Sequence, residues 1–345
     1  MENLIIQKPD DWHLHLREGV VLKNIVRFSS EFFGRAVVMP NTKNPITTMG
    51  KAISYKKEIC NAIPLNKNFE PLMTIYLTDE TSEHELKEGF RNKVFFAAKL
   101  YPANVTTNSS YGVKDIKNIY HIFEIMEYMG MPLLIHGEVL DSQVDIFDRE
   151  NVFIDKELTP IIKRFPKLKV VLEHITTSYA VEFVKANKIH ATITPHHLHI
   201  NRNAMFFGGL NSDYFCLPVA KREVNRLALI KAATSGHESF FLGTDSAPHL
   251  REWKAFCGCA GIFNAPVAIS SYLKVFQEEN SLDKFEAFAS LNGPKFYNLP
   301  PNEDKITLIY DPFKVNDFIE ILDSKKAVGK IKIFHAGEIL NWRIL

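Results

Sequence analysis

An α/β fold, a (β/α)8 TIM-type barrel with a small C-terminal extension, is what this sequence predicts, and three observations carry the prediction. Eight short β-branched or apolar runs, most of them followed by a helical stretch, succeed one another within about 250 residues. No Gly-x-Gly-x-x-Gly follows the first run, as an open dinucleotide-binding sheet would require. Titratable side chains gather at the C-terminal ends of the runs, where barrel enzymes keep their chemistry.

The first strand is Asp11-Trp12-His13-Leu14-His15-Leu16-Arg17. Side chains of a strand alternate faces, which puts His13 and His15 on one side and Trp12, Leu14 and Leu16 on the other. Two imidazoles side by side make half of a metal site, and Arg17 continues their parity as a fixed cation beyond it. Two surface histidines on an edge strand are the alternative. Residues 18–33 read as a helix stopped by Gly34, 35–41 as the second strand and 45–62 as mostly helix. The third strand is 72–78, backed by a helix at 79–90, and the fourth is 94–100. A polar stretch, 104–110, separates it from an amphipathic helix at 114–129.

Strands five, six and seven fall at 132–136, 169–174 and 191–194, with a helix at 178–187 between the last two. A helix at 221–235 leads to the eighth strand, 239–245. Helices at 262–279 and 283–291 then precede Pro300-Pro301, which reads as a boundary. The chain is thus expected to be one domain, 1–345, with its barrel at about 1–299 and its extension at about 300–345. From residue 306 onward short apolar runs alternate with charges, as in a small β segment.

Composition narrows the function. The hydrophobic share of 46% and charged share of 23% are those of a globular enzyme, and a net charge of +1 supplies no global field for nucleic acid or membrane. Any anionic ligand must be held by local groups. Met1-Glu2-Asn3-Leu4-Ile5-Ile6 lacks the basic-then-apolar pattern of a signal peptide, and no apolar run approaches the ~20 residues of a membrane span. Cys60, Cys216, Cys257 and Cys259 suggest reduced thiols in a cytoplasmic protein. Cys257-Gly258-Cys259 could be half of a thiolate metal site, but no second pair at zinc-finger spacing answers it, so it reads as structural.

The strand ends carry His13 and His15, Lys99, His136, His174 and Asp245. Four imidazoles and a carboxylate on one rim describe a site for a borderline cation such as Zn2+. Lys99 is the odd member, because an ammonium ion would be repelled by the metals it faces. Burial beside cations favours the neutral amine, which can capture CO2 and become an anionic, bridging carbamate; a lysine snorkelling to solvent is the alternative. Pro195-His196-His197-Leu198-His199 holds more histidines than any of these stretches. Its parity is broken by Pro195 and the other ligands already complete the site, so rim packing or a subunit interface is expected of it.

Taken with Met39-Pro40-Asn41, Lys99-Leu100-Tyr101-Pro102-Ala103, His136-Gly137-Glu138, Glu173-His174, Gly243-Thr244-Asp245-Ser246-Ala247-Pro248-His249 and Cys257-Gly258-Cys259-Ala260-Gly261, the first strand resembles the short-chain bacterial dihydroorotases of the amidohydrolase superfamily. The blocks run in order from residue 11 to about 270. The resemblance implies a zinc-dependent cyclic amide hydrolase that reversibly opens (S)-dihydroorotate to N-carbamoyl-L-aspartate in pyrimidine synthesis. It implies two Zn2+ per chain: one on His13, His15 and Asp245, the other on His136 and His174, bridged by carboxylated Lys99. A bridging hydroxide would attack, with Asp245 as general base and then acid. Arg17, Asn41 and His249 would grip the ring carboxylate, and the backbone at Leu217 and Ala260 would read the ring's polar edge. The small polar loop 104–110 reads as a lid or an inert loop from composition; the resemblance makes it a lid, with Thr106 and Thr107 closing on substrate. A cytoplasmic homodimer acting on a small molecule is implied as well.

Two rivals stand beside this reading. Another cyclic amidohydrolase of hydantoinase or allantoinase type could use the same metals, but Arg17, Asn41 and His249 suit a carboxylated ring. A catalytically silent scaffold would have lost metal ligands, and none is lost.

Overall fold

The computed structural model describes residues 3–345; Met1 and Glu2 of the N-terminal hexapeptide lie outside the described residues. The chain opens with β1 (Asn3–Gln7), which stands outside the barrel. The barrel then runs β2 (Asp11–Leu14), α1 (Gly19–Phe32), β3 (Arg35–Val38), α2 (Met49–Ala62), β4 (Glu70–Tyr76), α3 (Glu83–Arg91), β5 (Ala97–Leu100), α4 (Tyr120–Met129) and β6 (Leu133–Ile135). It continues with α5 (Arg149–Phe153), α6 (Thr159–Arg164), β7 (Val170–Leu172), α7 (Ser178–Ala186), β8 (His190–Ile193), α8 (Pro195–His199), α9 (Glu223–Ala233) and β9 (Phe240–Leu242). After it come α10 (Arg251–Cys257), α11 (Ala268–Glu278), α12 (Asn292–Tyr297) and the strands β10 (Lys305–Lys314), β11 (Phe318–Asp323), β12 (Lys326–Lys332) and β13 (Ile339–Ile344).

Strands β2 to β9 form one parallel sheet in sequence order, the predicted barrel. It closes where Asp245 N donates to His13 O at 2.8 Å and His15 N to Ser246 O at 3.2 Å. Alternate positions serve two apolar layers. Leu14, Val38, Ile75, Ala98 and Ile135 face the surrounding helices, meeting Leu22 and Val26 of α1 among others. Val37, Leu72, Ala97, Leu134, Val171 and Phe241 face inward and fill the barrel floor.

Trp12 corrects one expectation. It belongs to the floor, whereas Leu14 and Leu16 pack outside against the helices. The pairing of β2 with β3 is irregular between Asp11 and Leu14, and this break in the pleat turns Trp12 and His13 both inward. Trp12 stacks on Tyr297 with ring centroids 4.5 Å apart. A Cβ on Gly293 would stand 1.9 Å from Trp12 Nε1, so only glycine admits the ring there.

The sequence reading assigns no element between 137 and 168, yet α5 and α6 continue one another there even though Pro160 lacks the amide proton an interior helical residue donates. The chain accommodates it through a wide turn at Ile154–Leu158, where Thr159 Oγ1 donates to Ile154 O at 2.8 Å. Nor was β1 expected. It pairs antiparallel with β10, which pairs with β13, so the extension shares a sheet with the N-terminus. At the Pro300-Pro301 boundary, Arg35 donates to Pro300 O at 3.0 Å and Asn302 Nδ2 to Lys8 O at 2.7 Å.

The β11–β12 hairpin and the segment after it build a second core with Ile25, Cys216, Ile262 and Phe263, behind the loops at the barrel mouth. His335 anchors this face: its Nε2 lies 3.0 Å from Ser271 Oγ and its Nδ1 2.8 Å from Glu338 Oε2. Those are the distances of a hydrolytic triad, but Ser271 is fully buried on α11, so the network fastens strands to helix and exposes no nucleophile.

Candidate active site and metal centre

Above the apolar floor the barrel interior turns polar, and the residues that do so stand at strand ends. His13 Nδ1 donates to Glu173 Oε2 at 2.8 Å. Burial holds His13 below the usual imidazole range. Burial also pushes the Glu173 carboxyl up, but His13, Lys99 and the Thr192 hydroxyl outweigh it and keep Glu173 ionised. A neutral His13 with its proton on Nδ1 presents an Nε2 lone pair to Asp245 Oδ1, 3.5 Å away; His15 Nε2 lies 3.1 Å from the same oxygen. His13, His15 and Asp245 offer ligand atoms that all lie within 4.8 Å of one another. Acceptors turned toward one point fit a cation there.

On the other side His136 and His174 stand with ring centroids 4.8 Å apart, and His174 is 4.9 Å from His13. His136 Nε2 is held by Glu138 Oε2 at 2.7 Å, which leaves Nδ1 free to ligate. His174 Nδ1 is buried without a hydrogen-bond partner. Lys99 has no exposed surface and its Nζ also lacks a partner, while burial, partly offset by Glu173 and Asp245, pulls its ammonium down to about 8. An orphaned amine of that kind fits carboxylation, and the donor set fits two divalent cations.

Three of these side chains depend on strained backbone. Arg17, His174 and Asp245 have φ of 56°, 40° and 44°, a region non-glycine residues seldom enter. Asp11 braces the turn, accepting from His13 N at 3.2 Å and from Thr244 N at 2.8 Å, and burial raises its carboxyl to about 7. Gly243 must be glycine, since a Cβ there would stand 2.7 Å from Thr192.

Around the mouth, Arg17 Nε donates to Pro248 O at 2.9 Å and its NH2 lies 3.0 Å from His249 Nε2. That His249 nitrogen is also 2.9 Å from Ala260 O, so the neutral ring either accepts from Arg17 or donates to Ala260. The loop 104–110 is closed over the site: Asn41 Nδ2 donates to Thr107 O at 3.0 Å, Asn108 Nδ2 to Asn41 O at 3.0 Å, and Thr107 Oγ1 to Ala260 O at 3.3 Å. Beneath it a cavity of about 20 Å3 is lined by His13, His15, Arg17, Asn41, Thr106, Thr107, His136, His174, Leu217, Asp245 and Ala260. Every site residue expected from the sequence lines it except Lys99, which lies fully buried, and His249, which flanks Arg17. Outside the loop lies a cavity of about 540 Å3 shared by Arg17, Asn41 and Thr107.

The tempting histidines pack. In α8, His197 is satisfied on both nitrogens, Nδ1 by Thr194 Oγ1 at 2.7 Å and Nε2 by Pro218 O at 3.0 Å. His199 Nε2 donates to Ser271 O at 2.9 Å. His196, His197 and Cys216 do cluster within ligand distance. Burial nonetheless pushes the Cys216 thiol up to about 12, which keeps it protonated, both His197 nitrogens are already taken, and His196 Nδ1 accepts from Asn264 Nδ2 at 3.1 Å. The expectation of four reduced thiols is corrected: Cys257 and Cys259 form a disulfide, which removes them as thiolate ligands, while Cys60 and Cys216 are free.

Asp11, Glu138 and Glu173 are site residues to which sequence reasoning assigns no role. Their signal is spacing: each acid stands one or two residues from a candidate ligand histidine, where a carboxylate can hold one ring nitrogen or the backbone beside it.

The amidohydrolase family matches residues 5–315. The chain is 55% identical to the dihydroorotase of Erythrobacter litoralis, over 99% of both chains. Among solved structures, the dihydroorotase of Campylobacter jejuni superposes with a TM-score of 0.90 at 35% identity, covering 99% of this chain and 97% of the other. The Saccharomyces cerevisiae dihydroorotase in complex with 5-fluoroorotic acid gives 0.90 at 32% identity, covering 100% and 99%.

Proposed function

The chain belongs to the amidohydrolase family, among its dihydroorotases, and from that premise we propose that its barrel mouth interconverts (S)-dihydroorotate and N-carbamoyl-L-aspartate on a binuclear zinc centre. The observation that carries the metal reading is the convergence of His13, His15 and Asp245 beside the unpartnered, buried Lys99. His13, His15 and Asp245 would hold one ion and His136 with His174 the other. Lys99 would bridge them once its neutral amine attacks CO2 and sheds one proton to become a carbamate. Bound there, the ions would polarise the ring amide carbonyl and bring the pKa of water toward neutrality.

Asp245, whose carboxyl burial raises, takes the proton released on attack and passes it to the departing ring nitrogen. Arg17 presents a planar fork to the ring carboxylate, joined by His249 and by Asn41. Accepting that carboxylate would take Arg17 from His249, which is then free to donate. The backbone at Leu217 and Ala260 reads the ring's polar edge, and Thr106 and Thr107 close above it. The closed cavity of about 20 Å3 is far smaller than a dihydroorotate ring, so the loop must open for exchange.

We read residues 1–345 as one domain, barrel and extension together, supported by the pairing of β1 with β10. A cytoplasmic homodimer completes the proposal; a second subunit would cover exposed side chains such as Phe206, Phe207 and Leu210. No described helix is long and apolar enough to cross a membrane.

The test is metal analysis of protein prepared without chelator, paired with turnover of dihydroorotate in both directions. About two divalent ions per chain, loss of activity on chelation and recovery with zinc are expected. A fully active enzyme with one ion would defeat the binuclear reading, and a two-ion protein inert toward dihydroorotate would defeat the substrate.

A further inference from the structure

We infer that Lys254 is a positioning residue for this reaction: its side chain ties the loop after β9 to the segment before Leu217, setting the spacing of the two backbone stretches that read the substrate ring. The inference rests on the roles proposed above for Leu217 and Ala260. Lys254 projects from α10, is 6% exposed, and donates from Nζ to Phe215 O at 2.8 Å and to Cys259 O at 3.1 Å. One acceptor lies two residues before Leu217 and the other one residue before Ala260. Gly261 N donates to the same Phe215 carbonyl at 3.0 Å, so ammonium and amide together stitch the two segments.

Burying an ammonium costs free energy that a carboxylate partner ordinarily offsets. Among the described residues Lys254 has no such partner within ion-pair distance, and Asp213, whose field reaches it, is bound by Lys332 at 2.9 Å. Burial pulls the ammonium down to about 8, still charged near neutrality. A chain needing only surface charge would leave this lysine in solvent. Two carbonyl acceptors from two different loops are what the burial secures.

Lys254 does not line the cavity beneath the lid. It borders a separate cavity of about 20 Å3 behind it, and Gly261 lines both. Its effect therefore passes through backbone and not through contact with substrate.

The experiment is Lys254→Met in the full-length, metal-loaded enzyme, which keeps the aliphatic stem and removes the donors. KM for dihydroorotate should rise and the affinity for 5-fluoroorotate by calorimetry should fall, each about tenfold, with kcat within about threefold. Bound metal should be unchanged, and amide exchange at Gly261 should accelerate while β2 to β9 stay protected. Unchanged KM and affinity would overturn the inference. Joint loss of metal, kcat and cooperative melting would overturn it as well, showing a purely structural lysine; should Lys254→Met not fold, Lys254→Gln is read by the same measures. Arg17→Ala, run in parallel, separates the two layers of argument. If it too leaves 5-fluoroorotate binding intact, the reading of the site fails; if it alone weakens binding, only the role of Lys254 does.

Discussion

Trp12 and His13 are neighbours in the chain and both point into the barrel, yet they belong to regions built on opposite rules. The floor around Trp12 is aromatic and aliphatic: Tyr297, Phe96 and Phe241 surround the indole, and shape alone decides what fits. The mouth around His13 buries carboxylates, imidazoles and an amine, and holds three non-glycine residues at positive φ. A floor assembled this way gains stability from area removed from water. A mouth assembled this way costs stability, and its arrangement makes sense only for a ligand that the buried acceptors await. The same eight strands supply both, so stability and chemistry can be perturbed separately.

Lys99→Ala is the most damaging change to the mouth. It removes the proposed bridge between the two proposed cations, so bound metal and activity should both collapse, the latter about a thousandfold or more, on the order of 4 kcal/mol. The barrel should still fold cooperatively, because the lesion lies above the floor. A small carboxylic acid in solution should restore part of the rate and an amine of similar size should not. Rescue by the amine, or full metal and rate in the variant, would show that Lys99 is merely a neighbour.

Gly293→Ala is the converse, a lesion of the floor. Its methyl group overlaps the Trp12 indole, and overpacking of this kind costs about 1–3 kcal/mol. Denaturant unfolding should shift by that amount, while kcat per folded molecule stays near wild type. A variant of native stability but low kcat would mean that floor and mouth are not separable.

The smallest effect is expected from Thr106→Ala combined with Thr107→Ala. Thr107 loses its hydroxyl contact with Ala260 O, so the loop closes less well and kcat should fall about tenfold with metal content and melting unchanged. Wild-type kinetics would return the loop to an inert connection.

Much of the site was legible because barrel geometry converts sequence position into height. A residue at the C-terminal end of a strand must stand at the mouth, so His13, Lys99, His136, His174 and Asp245 could be gathered from strand ends alone. Less legible was what lies one residue off the pattern. Strand parity placed Trp12 with Leu14, and the irregular pairing at Asp11–Leu14 put it on the floor instead. The helix through Pro160 and the strand Asn3–Gln7 escaped for related reasons: a wide helical turn absorbs a residue that normally breaks a helix, and an edge strand is defined by its partner.

The sequence by itself determined the barrel, its eight strands and the residue types at its mouth, because periodicity and strand-end position are local and survive without a third dimension. Only the tertiary structure decided which carboxylate holds which imidazole, that Asn41 and Ala260 meet the closed loop, and that Lys254 joins two carbonyls from distant segments. Glu173 reaches His13 across 160 residues, and Lys254 reaches Phe215 across 39. Such pairings depend on how strands and loops converge in space, and no local spacing encodes a distance between segments that the chain itself keeps far apart.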